Sequence, residues 1–212
     1  MQKLEEIINY RFKNKKLLIT ALTHPSFSFQ NSYEKLEFLG DLILDAIVGI
    51  NLYKKYKDKN EAFLTDLKSA YVNKDYLKKI ANEIGLKNFA NYKGENIKRT
   101  DKFLEALIGA IYLDGGWKNA EKFIKKFILN RDLEPLKDYK NLILTYARKV
   151  KNTVPVYEIV RIYGLEHKRK YEVRVKIKGI KKIGRAKGSS LKEAEITAAK
   201  SLYKKIIKQQ ER

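Results

Sequence analysis

The spacing of apolar residues changes near Pro135, and this change divides the chain into two parts. Up to about residue 130, apolar residues recur at intervals of three and four, as in "LEFLGDLILDAIVGINLYKKY", which is the period of a helix buried along one or more faces. Beyond Pro135, "VYEIVRIYG" and "KYEVRVKIKG" alternate apolar and polar residues, which is the period of a strand. The sequence therefore predicts an all-α domain over 1–130, a linker over 131–138 and a second domain over 139–212.

The predicted second domain is a small α+β module. The helix "YKNLILTYARKV" precedes Pro155, and three segments of period two follow, each closed by a glycine. Ser190 and Glu193 then form the pattern of a capping box at the start of a final helix. The expected order of elements is α-β-β-β-α. In the first domain, Gly85 is expected to end one helix and Gly115-Gly116 to interrupt another.

The charge of the chain is strongly positive and unevenly distributed. The net charge is +21, from 46 basic and 25 acidic residues. Up to Lys137 there are 25 basic and 18 acidic residues, so this part carries +7, whereas the remainder has 21 and 7 and carries +14. A uniform preference for lysine would not concentrate charge in this way, so the sequence indicates a polyanion as partner.

The composition also limits the classes of site and the location. The chain has no cysteine, which excludes disulfides and thiolate metal sites. It has no stretch of signal-peptide type near its start, and no apolar run approaches the roughly 20 residues that span a bilayer. We expect a soluble, cytoplasmic protein with no membrane partner.

Four carboxylates follow one side of the helix predicted around residue 40. Glu34, Glu37, Asp41 and Asp45 recur at spacings of three and four, so they project in broadly one direction. Acids at this spacing usually form the solvated face of an amphipathic helix. Here the neighbouring residues are mostly Leu, Ile and Phe, which leaves little room for a wide polar face. A hard cation such as Mg²⁺ or Mn²⁺ is the counter-ion that carboxylate oxygens favour.

Glu105 raises the same question on a second apolar helix. It lies in "DKFLEALIGA", where a lone carboxylate must be paired or remain at the edge of the core. Gly109 and Ala110 are small enough to let another helix approach closely. If the two apolar helices pack together, their carboxylates converge on one site.

Several stretches resemble the ribonuclease III family. "YEKLEFLGDLILDAIV" is similar to the signature helix of that family, and "FLEALIGAIYLDGG" to its second acidic motif; "LTHPSF" and "FLTDLKSAYVN" match further landmarks. In the second domain, "GLEHKRKYEVRVKI" and "SLKEAEITAAKSL" resemble a double-stranded-RNA-binding domain. The resemblance covers nearly the whole chain in the right order, which is far more specific than any single motif.

The resemblance implies an endoribonuclease that depends on Mg²⁺, for which Mn²⁺ could substitute. Such an enzyme would act as a homodimer on double-stranded RNA, in RNA processing such as maturation of ribosomal RNA precursors, and leave 5′-phosphate and 3′-hydroxyl ends. The matching positions are Glu37, Asp41 and Glu105 as metal ligands, with Asp41 and Glu105 also catalytic. Glu34 and Glu61 match further acids of the family.

One position departs from the family pattern in the acidic motif. The family has an aspartate three residues before the glutamate, and Lys102 stands there in this chain. An ammonium could neutralise the carboxylates without metal. Asp101 is four residues before Glu105, near the same helix face, so we include it as a fourth predicted metal ligand, reached by a modest rotation while Lys102 swings aside.

The RNA-binding module also departs from its family. The family has a Gln-Glu pair in the first helix where this chain has Leu144 and Thr145, and a lysine where it has Leu191. We expect binding through charge and the shape of the duplex to survive, with weaker discrimination of RNA from DNA. The predicted RNA-binding residues are His167, Lys181, Lys182, Lys187 and Lys192.

Two functions remain open from the sequence. The first is an active double-strand-specific endoribonuclease, favoured by the acids. The second is a double-stranded-RNA-binding protein that does not cleave, with a structural or ribosome-associated role or as the inactive partner in a heterodimer, favoured by Lys102, Leu144, Thr145 and Leu191. A generic basic DNA-binding protein would explain the charge but not the acids.

Overall fold

A computed structural model describes residues 1–94, 97–165 and 168–210, and side chains as far as residue 206. The chain forms two compact units, Met1–Leu136 and Lys137–Arg212. The first unit is helical, as predicted. Its elements are α1 (Gln2–Ile8), α2 (Lys15–Ala21), α3 (Glu34–Lys55), α4 (Glu61–Val72), α5 (Lys74–Ile84), a short 3₁₀ helix (Leu86–Phe89) and α6 (Thr100–Phe127).

Asparagine side chains cap the N-termini of three of these helices. Asn14, Asn60 and Asn73 each accept a hydrogen bond from a backbone N–H in the first turn, at 3.0 Å in every case. Such a cap satisfies one of the donors that a helix start leaves without a partner. The apolar pattern is continuous in sequence from α4 to α5, and Asn73 divides this stretch into the two helices. Gly85 ends α5 in the left-handed conformation (φ 78°), as expected from the sequence.

The longest helix, α6, is interrupted where two glycines were expected to break it. Gly116 has φ 73° and ψ −175°, a backbone conformation that residues other than glycine rarely adopt. The Asp114 carboxylate, just before the break, accepts hydrogen bonds from Tyr10 Oη and from the backbone N–H groups of Lys13 and Asn14. The buried N-terminal half of α6 packs along α3 and forms the centre of the core.

The segment after α6 lies against the helical unit. Tyr71 Oη donates to the carbonyl oxygen of Arg131 at 2.6 Å, and the Leu136 N–H donates to the carbonyl oxygen of Asp66 at 3.0 Å. Leu133 packs against the helical core. Residues 131–136, which the sequence suggested as linker, therefore contact the first unit.

The second unit has the predicted α-β-β-β-α order. It comprises α7 (Tyr139–Lys151), β1 (Pro155–Tyr163), β2 (Lys170–Ile177), β3 (Ile183–Gly188) and α8 (Leu191–Gln210). The three strands form an antiparallel sheet in the order β1-β2-β3. Residues of both helices and of β2 form a separate core: Ile143, Ala147, Val173, Val175, Ile177, Ala194, Ala198, Ala199, Leu202 and Ile206.

The start of α8 shows the capping interactions expected from its sequence. Ser190 Oγ accepts a hydrogen bond from the Glu193 N–H at 3.2 Å. The Glu193 carboxylate reaches back to the N–H of Ser189 rather than to that of Ser190, at 2.8 Å.

In the described part of the chain, no helix combines the length and the apolar character that crossing a membrane requires.

Candidate active site

The two acidic helices touch along their backbones because glycines lie at the contact. A Cβ atom built on Gly40 would lie 1.7 Å from the carbonyl oxygen of Glu105, and one built on Gly109 would lie 2.3 Å from the carbonyl oxygen of Leu36. Neither position can hold a side chain without separating α3 from α6. This contact brings the acids of α3 beside Glu105, as the sequence predicted from Gly109. The role of Gly40 was not foreseen, although it lies within the same acidic motif.

Lys102 points into the acidic site and pairs with Glu37. Its Nζ lies 2.9 Å from Glu37 Oε1 and 3.2 Å from Oε2. It also lies 5.8 Å from the centroid of the Tyr33 ring, close enough for a cation–π contact. The Lys102 and Glu37 side chains are 28% and 21% exposed, so this is a half-buried ion pair between α6 and α3. The lysine does not swing aside.

Asp101 is held by Arg99 and is almost fully buried. Arg99 Nη2 lies 2.7 Å from Asp101 Oδ2, and Arg99 Nε donates to both carboxylate oxygens at 3.1 and 2.9 Å. The Asp101 side chain is only 1% exposed. The rotation that would turn Asp101 toward a metal would break these bonds and move a buried carboxylate, which is costly. Its role as a ligand stays a prediction.

Glu105 and Asp41 form the half of the site that lacks ion pairs in the described part of the chain. Burial first, and then the negative charges of Asp41, Glu37 and Asp101, together raise the pKa of Glu105 to about 7, against the opposing effect of Arg99. Burial and the neighbouring Asp45 also raise the pKa of Asp41. Each carboxyl therefore resists ionisation because burial and neighbouring negative charges outweigh the opposing effects of Arg99 on Glu105 and of Lys68 on Asp41.

The donors that remain suit a hard divalent cation. Among the described residues, no three carboxylate or imidazole side chains come close enough to share an ion, and the four predicted ligands are not brought together as one set. Mg²⁺, however, commonly takes one or two carboxylates and completes its shell with water and phosphate oxygens. Asp41 and Glu105 supply two oxygen donors with uncompensated charge, so the donor set fits such an ion.

The other acids named in the sequence analysis lie outside this pair. Glu34 is exposed and accepts a hydrogen bond from Ser32 Oγ at 3.2 Å. Glu61, in the first turn of α4, accepts one from Thr65 Oγ1 at 2.8 Å. Asp45 pairs with Lys68 at 2.7 Å.

The predicted RNA-binding lysines lie at two ends of β3. Lys187 is near the end of the strand, with its Nζ 5.6 Å from the centroid of the Tyr163 ring, and Lys192 is exposed in the first turn of α8. Lys181 and Lys182 precede the strand, where Lys182 donates to the carbonyl oxygen of Lys205 near the other end of α8. At about 3.3 Å per residue the two groups are on the order of 17 Å apart. His167 lies outside the described residues.

The structure adds basic residues that the sequence analysis did not select. Lys168 and Lys170 line one open concave surface together with Ser189 and Ser190 at the start of α8. They therefore extend the group formed by Lys187 and Lys192. Both lysines belong to the basic run "HKRK" of the sequence, and this run is the signal that could have indicated them.

Comparison with known proteins agrees with this arrangement. The Ribonuclease-III-like family profile matches residues 14–132, and the double-stranded RNA binding motif matches residues 139–206. "Ribonuclease 3" of Campylobacter fetus is 39% identical to the chain over 94% of the chain and 95% of the relative. "Ribonuclease 3" of Campylobacter jejuni is 37% identical over 97% of each. The chain belongs to the ribonuclease III family.

Solved structures support the assignment of the helical unit. A nuclease domain of ribonuclease III from Campylobacter jejuni superposes with a TM-score of 0.58 and 39% identity, covering 61% of this chain and 96% of that domain. That domain has structural flexibility in a region involved in dimer formation. Dicer from Giardia intestinalis, at a TM-score of 0.51 and 21% identity, shares the fold over 63% of this chain and 19% of its own length. This chain is an endoribonuclease of the ribonuclease III type with a double-stranded-RNA-binding domain.

Within this ribonuclease III fold, the site has two unequal halves. Glu37 and Asp101 are neutralised by Lys102 and Arg99. Asp41 and Glu105 are not neutralised by any ion pair of the described residues. The predicted catalytic residues are thus the two carboxylates whose charge the protein leaves uncompensated.

Proposed function

We propose that the chain cleaves double-stranded RNA with the help of Mg²⁺, or of Mn²⁺ in its place, and leaves 5′-phosphate and 3′-hydroxyl ends. The observation that carries this proposal is the close backbone contact of Gly40 with Glu105 between α3 and α6, which brings Asp41 near enough for its charge, after burial, to raise the pKa of Glu105 to about 7. An acidic site of this kind beside a phosphodiester needs a cation to make close approach favourable. In the cytoplasm, RNA precursors such as those of ribosomal RNA are suitable substrates.

Asp41 and Glu105 are the residues that would hold the cation. When bound, Mg²⁺ would supply a Lewis acid at a phosphate oxygen and lower the pKa of a water molecule. The chain's own residues fix the position: the Gly40 and Gly109 contact sets the separation of the two helices. Arg99 and Lys102 keep the adjacent carboxylates neutralised.

The second unit would hold the duplex by its phosphates. Lys187, Lys192, Lys168 and Lys170 surround the start of α8. Lysines placed in this way read the shape and charge of an A-form duplex rather than its sequence. The exposed Thr145 and half-buried Leu144 on α7 offer fewer hydrogen bonds to 2′-hydroxyls than a Gln-Glu pair would, so discrimination against DNA would be weaker.

The homodimer proposal rests on an exposed apolar stripe on α3. Phe38, Leu42 and Tyr53 are 70%, 52% and 73% exposed, and with Ala46 and Gly49 they lie along one face of the helix. Large apolar side chains grouped on a surface are typical of an interface. Dimer formation by the related nuclease domain supports the same use of this face here.

A Phe38→Asp substitution tests the dimer. It should convert the protein to a monomer, as measured by sedimentation equilibrium, because a charge buried in an apolar interface costs several kcal/mol. Ile19→Asp is the matched control, since Ile19 is 44% exposed on α2 and outside the stripe. A Phe38→Asp protein that remains dimeric would rule out this face.

A non-cleaving RNA-binding protein is the second candidate function. The pairing of Lys102 with Glu37 and of Arg99 with Asp101 favours it, because two of the four predicted ligands already have protein partners. Leu144, Thr145 and Leu191 also favour the non-cleaving function, but only because the family has other residues at these positions.

The experiment that separates the two functions is cleavage of a long RNA duplex in Mg²⁺ and in Mn²⁺. The wild type should cut the duplex, and Glu105→Gln should lower the rate by about 10³-fold while leaving duplex affinity unchanged. Glu121→Gln, on the same helix, is the control and should cut normally. Tight binding without cleavage in either metal would establish the non-cleaving function instead.

A further inference from the structure

Lys102 occupies the acidic site as a fixed positive charge. Its Nζ is within 3.2 Å of both oxygens of Glu37 and faces the Tyr33 ring. Burial first, and then the charge of Glu37, raise the pKa of the Tyr33 hydroxyl to about 12, so the ring remains neutral at physiological pH. The ammonium therefore has two partners that hold it in place, the Glu37 carboxylate on α3 and the ring of Tyr33 just before α3.

The remaining charge of the site corresponds to one divalent cation. Arg99 balances Asp101 and Lys102 balances Glu37. Asp41 and Glu105 remain, and two carboxylates carry the charge that a single Mg²⁺ or Mn²⁺ would neutralise. A second divalent ion would have to displace or approach the ammonium of Lys102, which repels it.

We propose that Lys102 is a built-in counter-ion that keeps Glu37 out of metal coordination, so that each protomer takes up one divalent cation, at Asp41 and Glu105. This inference rests on the metal site of the proposed function. Lys102 is a positioning residue here, since it acts on the metal through Glu37. Arg99 has the same effect on Asp101.

The ammonium should therefore weaken metal binding and stabilise the metal-free protein. Without it, Glu37 would become a further donor beside Asp41 and Glu105, and the repulsion of the incoming cation would disappear. In the absence of metal, the same change would leave Glu37 without a partner next to other carboxylates, which destabilises the fold.

The test is a Mn²⁺ titration of the full chain without RNA, by calorimetry, with free Mn²⁺ counted by electron paramagnetic resonance. The wild type should bind one Mn²⁺ per protomer. Lys102→Met, which keeps the length of the side chain and removes its charge, should bind Mn²⁺ about tenfold more tightly or better. Its melting temperature in a chelator should fall, and Mn²⁺ should restore it. Lys102→Asp should bind a second Mn²⁺.

Lys125→Met is the matched control, because Lys125 forms a comparable ion pair with Glu121 at 2.7 Å on the same helix. Its Mn²⁺ affinity should equal that of the wild type. Circular dichroism establishes that each variant is folded, and the wild-type stoichiometry tests the inference without any substitution. Two Mn²⁺ ions or none in the wild type, or unchanged affinity in a folded Lys102→Met protein, would overturn it.

The titration and the cleavage assay fail independently. A wild type that cuts duplex RNA and binds two Mn²⁺ ions keeps the proposed function and loses this inference. A wild type that binds one Mn²⁺ and cuts nothing keeps the inference about Lys102 and loses the proposed endonuclease activity.

Discussion

In the helical unit, Gly40 and Gly109 let α3 and α6 touch along their backbones, and in the second unit Gly184 and Gly188 do the same for β3 and α8. A Cβ atom on Gly184 would lie 2.2 Å from the carbonyl oxygen of Ala198. The units differ in the charge they place around this contact. The first gathers carboxylates and partly neutralises them, whereas the second surrounds its contact with exposed lysines.

The difference shows that one packing device can serve two tasks. Close approach of backbones brings side chains of two elements to the same place whatever their chemistry. Acids assembled in this way make a site for a cation, and lysines make a site for phosphates. Because the chemistry is divided between units, cutting and holding of RNA should be separable by mutation.

The largest effect is expected from filling the glycine contact of the helical unit. Gly40→Ala should lower the free energy of unfolding of that unit by about 3 kcal/mol, because the added methyl group overlaps the Glu105 carbonyl. Thermal unfolding followed by circular dichroism measures the loss. Lys35→Ala is the control on the same helix, at an exposed position outside the apolar stripe, and it should change stability by less than about 1 kcal/mol.

Duplex binding provides the complementary test in the Gly40→Ala protein. If the units carry separate tasks, this protein should lose cleavage and retain affinity for duplex RNA at a temperature where the second unit remains folded. Loss of both at once would show that the comparison between the units is too simple.

A smaller effect is expected at the lysines. Lys192→Met should weaken duplex binding about three- to tenfold and reduce the slope of log affinity against log salt by about 1, as expected for one lost phosphate contact. Fluorescence anisotropy at several salt concentrations measures both. Lys181→Met removes the same charge at the other end of β3 and should change the slope less. Equal changes would support the prediction that both ends of β3 bind RNA.

The smallest effect concerns pH. The pKa of Glu105 is about 7 in the folded chain against an ordinary 4.5, so the folded state holds a proton that the unfolded state releases between these values. The contribution of Glu105 to metal-free stability should be fully present below pH 4.5 and be lost as pH rises to 7. The melting temperature in a chelator should drop by about 2–5 °C over this window because of Glu105.

Glu105→Gln should remove that part of the pH dependence, because glutamine does not titrate. Glu121→Gln serves as control, since a hydrogen bond from Lys125 lowers the pKa of Glu121 instead. If the melting temperatures of wild type and Glu105→Gln change in parallel from pH 5 to 7.5, Glu105 does not carry the uncompensated charge.

Much of the fold follows from the period of the apolar residues. The change near Pro135 predicted a helical part and an α-β-β-β-α module, and both are confirmed. Local signals at Gly85, Gly116 and Ser190 also act where they were expected. The division of α4 from α5 was not visible, because the apolar pattern continues across Asn73 and only the backbone shows that its side chain caps a new helix.

The acids could be selected from the sequence, but their partners could not. Spacing placed Glu37 and Asp41 on one helix and Glu105 on another. Which carboxylate receives a cation depends on the register of α3 against α6 and on side-chain rotamers, which the spacing does not determine. The position of Lys181 and Lys182 was ambiguous for a similar reason, because four residues of β3 separate Lys182 from Lys187 and the direction of the strand is known only once β3 is paired.

The interruption of α6 at Gly116 has a consequence for motion. A break in a long helix often acts as a hinge, but here Asp114 fastens it to the segment 10–14 by three hydrogen bonds, and Tyr10 fills the space beside Gly115. The two halves of α6 should therefore fluctuate together. Amide hydrogen exchange would show fast exchange confined to the break, with the halves on either side protected to a similar degree.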